Sequence, residues 1–417
     1  MNEHSASVNG ISIYSLTNPN LRSFCLSLYV RAGSIFEDLS NNGISHLFEH
    51  VVFRNIKNKY ENFYELLAMH GLCFQGSTYK KFVSFTIDGP QHEFDFAIEI
   101  LCGLFDEIKL TSHDFNNEKG RIKAEIREKD RRSSLDFYFD SIVWKNSEVE
   151  KIVLGYCKTI DRVSVKKINE FRQKVLSAGN CFVYATGNIS DENLDALNKK
   201  ISELDISQSN PGFTNTVTVN NEFFHREKKI WIKNNYWHYI QIGFDVDCSK
   251  YPGGVYDLLY ALLFNGDKAL VYNYLSEDNP IIYSYDSTFE QYDNVGNINF
   301  SFEVDRNKIE DVFKTVVELL NAAKDGRFNF EANLNYEMFN WELDLDNPDN
   351  LNWNMAYYNH ILKTQPIDYS DEFYGRFRVT KEQIIDAAKY IFRRCNMTVA
   401  VKGDRKKINA EAIEKIL

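Results

Sequence analysis

No apolar run in this 417-residue chain approaches the ~20 residues that a membrane-crossing helix needs, so no transmembrane helix is predicted. Paired cysteines are also lacking. Cys25, Cys73, Cys102, Cys157, Cys181, Cys248 and Cys395 are scattered, odd in number and never spaced C-x-x-C. That argues against a disulfide framework or a metal knuckle and suits buried thiols in a reducing compartment. There is no basic excess: 48 Lys and Arg face 59 Asp and Glu, a net charge of −11. The imbalance disfavours nucleic acid and anionic membrane surfaces and would suit a basic peptide. Met1-Asn2-Glu3-His4-Ser5 has neither the basic nor the apolar region of a signal peptide, and the expectation is a soluble, cytoplasmic protein.

Histidine is scarce too, at 9 residues, yet two stand close together in His46-Leu47-Phe48-Glu49-His50. The pattern is H-x-x-E-H, an inverted zinc-peptidase motif. At about 100° per residue, Ile44, Leu47, Phe48, Val51 and Val52 share one helical face, while His46, Glu49 and His50 share the opposite one. Histidines four apart lie one turn above the other, so their ring nitrogens can reach one Zn²⁺ at about 2.0–2.1 Å. A catalytic site needs three protein ligands and an open position, so a third ligand must come from elsewhere. Glu49 is then the candidate general base acting on the metal-activated water. The plain alternative is a solvated helix face on which Glu49 pairs weakly with the histidines.

Downstream, Thr111-Ser112-His113-Asp114 is a capping-box-like helix start, and Glu118 and Glu125 are seven residues apart on one face of that helix. They offer a third ligand and a carboxylate behind the ligands to orient them. For either glutamate taken singly, an ordinary charged helix face explains as much.

With these residues the chain resembles the pitrilysin/insulinase family of metallopeptidases, particularly its short bacterial and mitochondrial-processing-peptidase-like members. The interval from His50 to Glu125 is 75 residues, which the resemblance makes the third ligand, with Glu118 as its accompanying glutamate. Arg31-Ala32-Gly33-Ser34-Ile35-Phe36-Glu37 and Asn42-Gly43-Ile44-Ser45 are similar to the family's strand, G-S-x-x-E turn and approach to the zinc helix. Phe74-Gln75-Gly76-Ser77 stands where relatives carry an edge strand along which substrate backbone is added, with Gln75 replacing the usual Asn. The resemblance implies one Zn²⁺ per chain on His46, His50 and Glu125, with Glu49 catalytic, Glu118 supporting, and Phe74, Gln75, Gly76 and Ser77 binding substrate.

The length is too great for one core, and 44% apolar with 26% charged residues is the composition of a globular protein. A faint repeat divides it. The alternating strand Ser23 to Val30 is echoed by His238 to Val246, the hairpin around Ser77 to Ile87 by Ser287 to Glu303, and the amphipathic helix His92 to Ile108 by Lys308 to Ala323. Each half ends on a strand, Asn180 to Gly187 and Asn396 to Val401. The predicted class is α+β, with two homologous halves, each an antiparallel sheet with helices on one face: a zinc-bearing peptidase domain over 1–210 and a homologous domain without the motif over 220–417. The family resemblance implies that the two halves form a clamshell half.

In the second half Tyr260 to Phe264 replaces the motif with apolar residues. The resemblance puts a substrate-contacting, oxyanion-stabilising tyrosine at Tyr283 and its companion arginine at Ser276, which cannot supply the charge. The plain reading of Tyr283 is a strand aromatic packed on its sheet. Trp341, Trp353, Tyr357 and Tyr358 read as packing between C-terminal helices, His225, His238 and His360 as structural, and Arg131-Arg132 as a solvated helix end. The expected function is a zinc metalloendopeptidase cleaving short or unfolded peptides, as the zinc-bearing subunit of a dimer with a zinc-free homologue, with trimming of modified-peptide leaders as a narrower purpose. The alternative from another class is a non-catalytic, structural or chaperone-like subunit.

Overall fold

The computed structural model describes residues 3–129, 135–145, 147–213, 238–363, 367, 377–404, 406 and 408–417. Arg131, Arg132 and His225 lie outside them. The described chain forms two sheets and many helices, the expected α+β architecture of two like halves.

The first sheet is built from β1 (His4–Val8), β2 (Ile11–Thr17), β3 (Ser23–Val30), β4 (Cys73–Thr78), β5 (Val83–Pro90) and β6 (Cys181–Gly187), in the order β1-β2-β6-β3-β5-β4. Its pairs are antiparallel except β2 with β6, which run parallel with Ser12 opposite Phe182. β4 is an edge, in register with β5 so that Gln75 faces Thr86 and Gly76 faces Phe85. The second sheet is wholly antiparallel: β7 (His238–Asp247), β8 (Tyr285–Tyr292), β9 (Val295–Val304) and β10 (Met397–Lys402), in the order β10-β7-β9-β8.

One hydrophobic core forms where Leu26, Leu28 and Val30 of β3 and Phe85 and Ile87 of β5 meet Leu47, Phe48, Val51 and Val52 of helix α1 (Ile44–Lys59). Burial of side chains of this size contributes roughly 1.5–3 kcal/mol each, so the apolar stripe of α1 is what presses it onto the sheet. A second core joins Ile240, Ile242 and Phe244 of β7 to the helices Gly253–Phe264, Ile309–Asp325 and Lys381–Ile391.

Two compact units result. The first holds Met1–Asp130, Glu148–Asn215 and Leu343–Ile361; the second holds Arg131–Ser147, Thr216–Glu342 and Leu362–Leu417. Each sheet thus gains a helix on its second face from the opposite half of the sequence. In the first unit that helix is Pro348–Met355, which lies on β3 and β6: Tyr29 Oη donates to Asn352 Oδ1 at 2.9 Å, and Thr186 Oγ1 donates to the Pro348 carbonyl at 2.7 Å. In the second, Leu135–Val143 lies on β7 and β10, and the Phe139 ring occupies space that a side chain at Gly243 would fill.

The aromatic group splits between the units, correcting the reading of one cluster: Trp353 stacks on Tyr357 and meets Tyr79, whereas Trp341 packs edge-on against Phe377. His238 accepts from the Asp404 amide at 3.0 Å, and His360 stacks on Tyr14, both structural contacts.

Candidate metal centre

The N-terminal capping position of α1 is Gly43, whose φ of 94° lies in the left-handed region open to glycine. With the apolar stripe buried against the sheet, His46, Glu49 and His50 face the helix Ser112–Glu128 and β4. That second helix begins on Thr111, whose side chain accepts from the Asp114 amide at 3.1 Å, and it carries Glu118 and Glu125.

The ligand set converges. Donor atoms of His46, His50 and Glu125 all lie within 4.8 Å of one another. His46 Nε2 is 3.6 Å from Glu125 Oε2, close to the separation of about 3.4 Å that two ligands have around a tetrahedral zinc with bonds of about 2.0–2.1 Å. The two imidazoles meet edge-to-face, ring centres 4.7 Å apart. Glu49 Oε2 stands 4.0 Å from His46 Nε2. Both carboxylate distances are too long for hydrogen bonds to His46.

His46 is only 6% exposed, and its Nδ1 is buried with no hydrogen-bond partner among the described residues. Burial, and then the neighbouring His50, lower its pKa to about 3. It is therefore a neutral imidazole with lone-pair density in the site, so its contacts with Glu49 and Glu125 are not ion pairs. A neutral imidazole, a second imidazole and a carboxylate make a donor set that suits zinc, and the residues present fit that ion.

Behind the ligands, Glu118 is 2% exposed, with Oε2 3.5 Å from His50 Nδ1 and Arg54 and Arg121 3.9 and 3.6 Å away. Burial works against a charged His50, but the carboxylates of Glu118, Glu49 and Glu125 outweigh it and raise its pKa. Such a carboxylate fixes the ring's orientation. Burial raises the Glu49 carboxyl, opposed by His50 and by Thr78, whose hydroxyl donates to Glu49 Oε2 at 2.9 Å.

Side chains along the strand expected to bind substrate alternate between the core and the outer face. The Phe74 side chain is buried in the core, its ring stacked on Phe53 with centres 4.5 Å apart, so only its backbone faces outward at the sheet edge. Gln75 is exposed, and it lines, with Ser77, a polar recess of about 440 Å³ that also includes Thr86, Asp88, Asp349 and Trp353. Gly76 lies against Glu49: a Cβ there would sit 2.8 Å from Oε1. The contact of Thr78 with Glu49 was not foreseen from the sequence, although Thr78 shares a strand face with Gly76, a period-two signal that could have found it; Glu37 was noted there only as part of its turn.

Tyr283 is not a packed strand aromatic. It is 97% exposed ahead of β8, in the second unit, and the packed tyrosine is Tyr285, whose hydroxyl donates to the Phe264 carbonyl at 2.7 Å. Ser276 is half-buried in the π-helical segment Asn273–Glu277. A further cluster of possible ligands, Cys25, Asp88 and Asp349, was also unforeseen; burial and then Asp88 push the Cys25 thiol well above its ordinary pKa, so it is held protonated.

This chain is similar to known proteins over most of its length. A family profile described as "Insulinase (Peptidase family M16)" matches residues 13–155, and one described as "Peptidase M16 inactive domain" matches residues 162–332. An uncharacterized zinc protease of Bacillus subtilis, YmxG, is 21% identical over 76% of this chain and 77% of its own. The mitochondrial-processing peptidase subunit beta of Saccharomyces cerevisiae is 24% identical over 45% of this chain, which spans 41% of that subunit. In structure, a protease from Helicobacter pylori superposes with a TM-score of 0.84 at 18% identity, covering 96% of this chain and 99% of its own. A peptidase M16 inactive domain from Pseudomonas fluorescens gives 0.81 at 13% identity, covering 97% and 98%.

Proposed function

The chain belongs to the pitrilysin/insulinase family of metallopeptidases, and from that premise we propose that it is a zinc metalloendopeptidase acting on short or unfolded peptides. The observation that carries this reading is the convergence of His46, His50 and Glu125 beside a carboxylate that is not needed as a ligand, Glu49.

Zinc held by these three residues would supply Lewis acidity and lower the pKa of a water to about 7. Glu49 would serve as the base that takes a proton from the attacking water and passes it to the leaving amine, a task that suits a carboxyl whose pKa is raised by burial. Thr78 holds one Glu49 oxygen, leaving the other to accept the proton. The outer edge of β4 offers backbone groups to an extended peptide, which would continue the sheet as a further strand. Gly76, having no side chain, lets the Glu49 carboxylate lie against β4. Glu49→Gln is expected to retain zinc and lose cleavage of an unstructured peptide, whereas His50→Ala loses both. Cleavage surviving in Glu49→Gln would refute the assigned base.

Within this reading the chain works as the zinc-bearing subunit of a pair. Support comes from Ser276, which offers no guanidinium for developing negative charge, and from Tyr260 to Phe264, which carries no ligands. Loss of such a charge-stabilising group costs about 10²–10³ in rate, and a zinc-free homologue would restore it. Tyr283 is exposed in the second unit, and its contact with a substrate carbonyl is what the family resemblance implies. Equal turnover by the purified chain and by its mixture with a zinc-free homologous chain would refute the pairing.

A further inference from the structure

We infer that Glu37 is a positioning residue for the metal-bearing helix, holding the first turn of α1 so that His46, Glu49 and His50 stay in register; the inference rests on the metallopeptidase reading above.

A helix begins with backbone N–H groups that have no partner inside it, and a capping side chain ordinarily takes them. At α1 the capping position is Gly43, which has no side chain to offer. A carboxylate six residues upstream does the work. Glu37 Oε2 accepts from the Gly43 amide at 2.7 Å and from Asn42 Nδ2 at 2.8 Å, and Oε1 accepts from the Ser45 amide at 2.8 Å. Glu37 is 3% exposed, so these bonds are sheltered from water. A negative charge at this end also complements the helix dipole.

The surrounding contacts close the clamp. Ser45 Oγ accepts from the Gly33 amide at 2.9 Å, on the turn that leads to Glu37. Asn42 Nδ2 also donates to the Ile152 carbonyl at 2.9 Å, and Thr159 Oγ1 donates to the Asn42 carbonyl at 2.6 Å. Gly43 lies so close to the Leu154 carbonyl that a Cβ would stand 2.8 Å from it.

Position matters because His46 is the third residue of α1, and a metal centre tolerates errors of only about 0.5 Å and 10–20° in its ligands. A rotation of the first turn would carry His46 away from Glu125 while leaving His50, one turn deeper, in place. Only an acceptor with two oxygens can take all three donors. Glutamine keeps one oxygen and turns an NH₂ group toward an N–H, so it must give up part of the clamp.

The test uses the full chain as Glu37→Gln and Glu37→Ala, with zinc affinity of the metal-stripped protein measured by chelator competition, melting temperature of the same samples, and kcat and KM at saturating zinc. The expected result is a zinc Kd raised about 10–100-fold and a reduced kcat, with KM within about twofold of the parent, in a variant that still unfolds cooperatively. If Glu37→Ala does not fold, Glu37→Gln carries the test. Ile201→Ala, a core change on the helix Asp191–Ser202, supplies the control: it should lower the melting temperature and leave the zinc Kd alone. A folded Glu37→Gln with unchanged zinc Kd overturns the inference, as does an Ile201→Ala that weakens zinc equally for the same melting loss. A parent chain that binds no zinc at all refutes instead the metallopeptidase reading beneath it.

Discussion

Gly76→Ala places a methyl group where Glu49 now lies. The new Cβ would stand 2.8 Å from Oε1, 3.0 Å from Cγ and 3.2 Å from Cδ of Glu49, whereas ordinary contact begins near 3.4 Å. The carboxylate must therefore retreat by about 0.6 Å, and it can do so because it ends a flexible side chain. Retreat strains the bond from Thr78, now 2.9 Å long, and moves the base off its path to the attacking water. With a 1 Å misplacement worth about 10²-fold in rate, this displacement should lower kcat on the order of tenfold. Stability should hardly fall, because Gly76 has ordinary strand φ and replacement of glycine at a compatible position gains roughly 0.4–1 kcal/mol through the unfolded chain. The assay is turnover of an unstructured fluorogenic peptide at saturating zinc, alongside zinc stoichiometry and melting temperature. A variant with one zinc, parental melting and more than half of parental kcat would refute the placement of Glu49 against β4.

Phe74→Ala should lose roughly 3–5 kcal/mol of stability, since its ring stacks on Phe53 in the core, yet leave the order of preference among peptides unchanged; denaturant midpoints and a peptide panel check this, and an altered preference with full stability would contradict the inward placement. Asp88 governs a pH effect. Burial raises its carboxyl from 3.8 to about 6, so the folded chain holds this proton more tightly than the unfolded chain and stability declines as pH rises through that window. Asp88→Asn should accordingly melt above the parent at pH 8, with the gap closing between about pH 6 and 4; a gap constant with pH in calorimetry would refute the assignment.

Much of the centre was legible because its spacing is local. His46, Glu49 and His50 fall within little more than one helical turn, and Glu118 and Glu125 are two turns apart, so helical geometry alone groups each set. The period-two rule likewise orients β4: Phe74, Gly76 and Thr78 share a face, and that face meets α1. Glu37 stood in the sequence only as the end of the G-S-x-x-E turn; its hold on Asn42, Gly43 and Ser45 forms only when the intervening turn folds back. The parallel pairing of β2 with β6 and the exchanged helices Leu135–Val143 and Pro348–Met355 are likewise products of long-range packing. A hint existed in β3, where Phe24 to Val30 is buried on both faces, as a strand covered from two sides must be.

Zinc-edge X-ray absorption on the chain as purified, paired with metal stoichiometry for the parent and for His46→Ala, His50→Ala and Glu125→Ala, decides whether these three residues hold the metal. One zinc per chain is expected, with nitrogen and oxygen neighbours only, at about 2.0–2.1 Å, and with loss of that zinc in each variant. Sulfur in the coordination sphere, or a full equivalent of zinc retained when the ligands at 46 and 50 are removed, would contradict it.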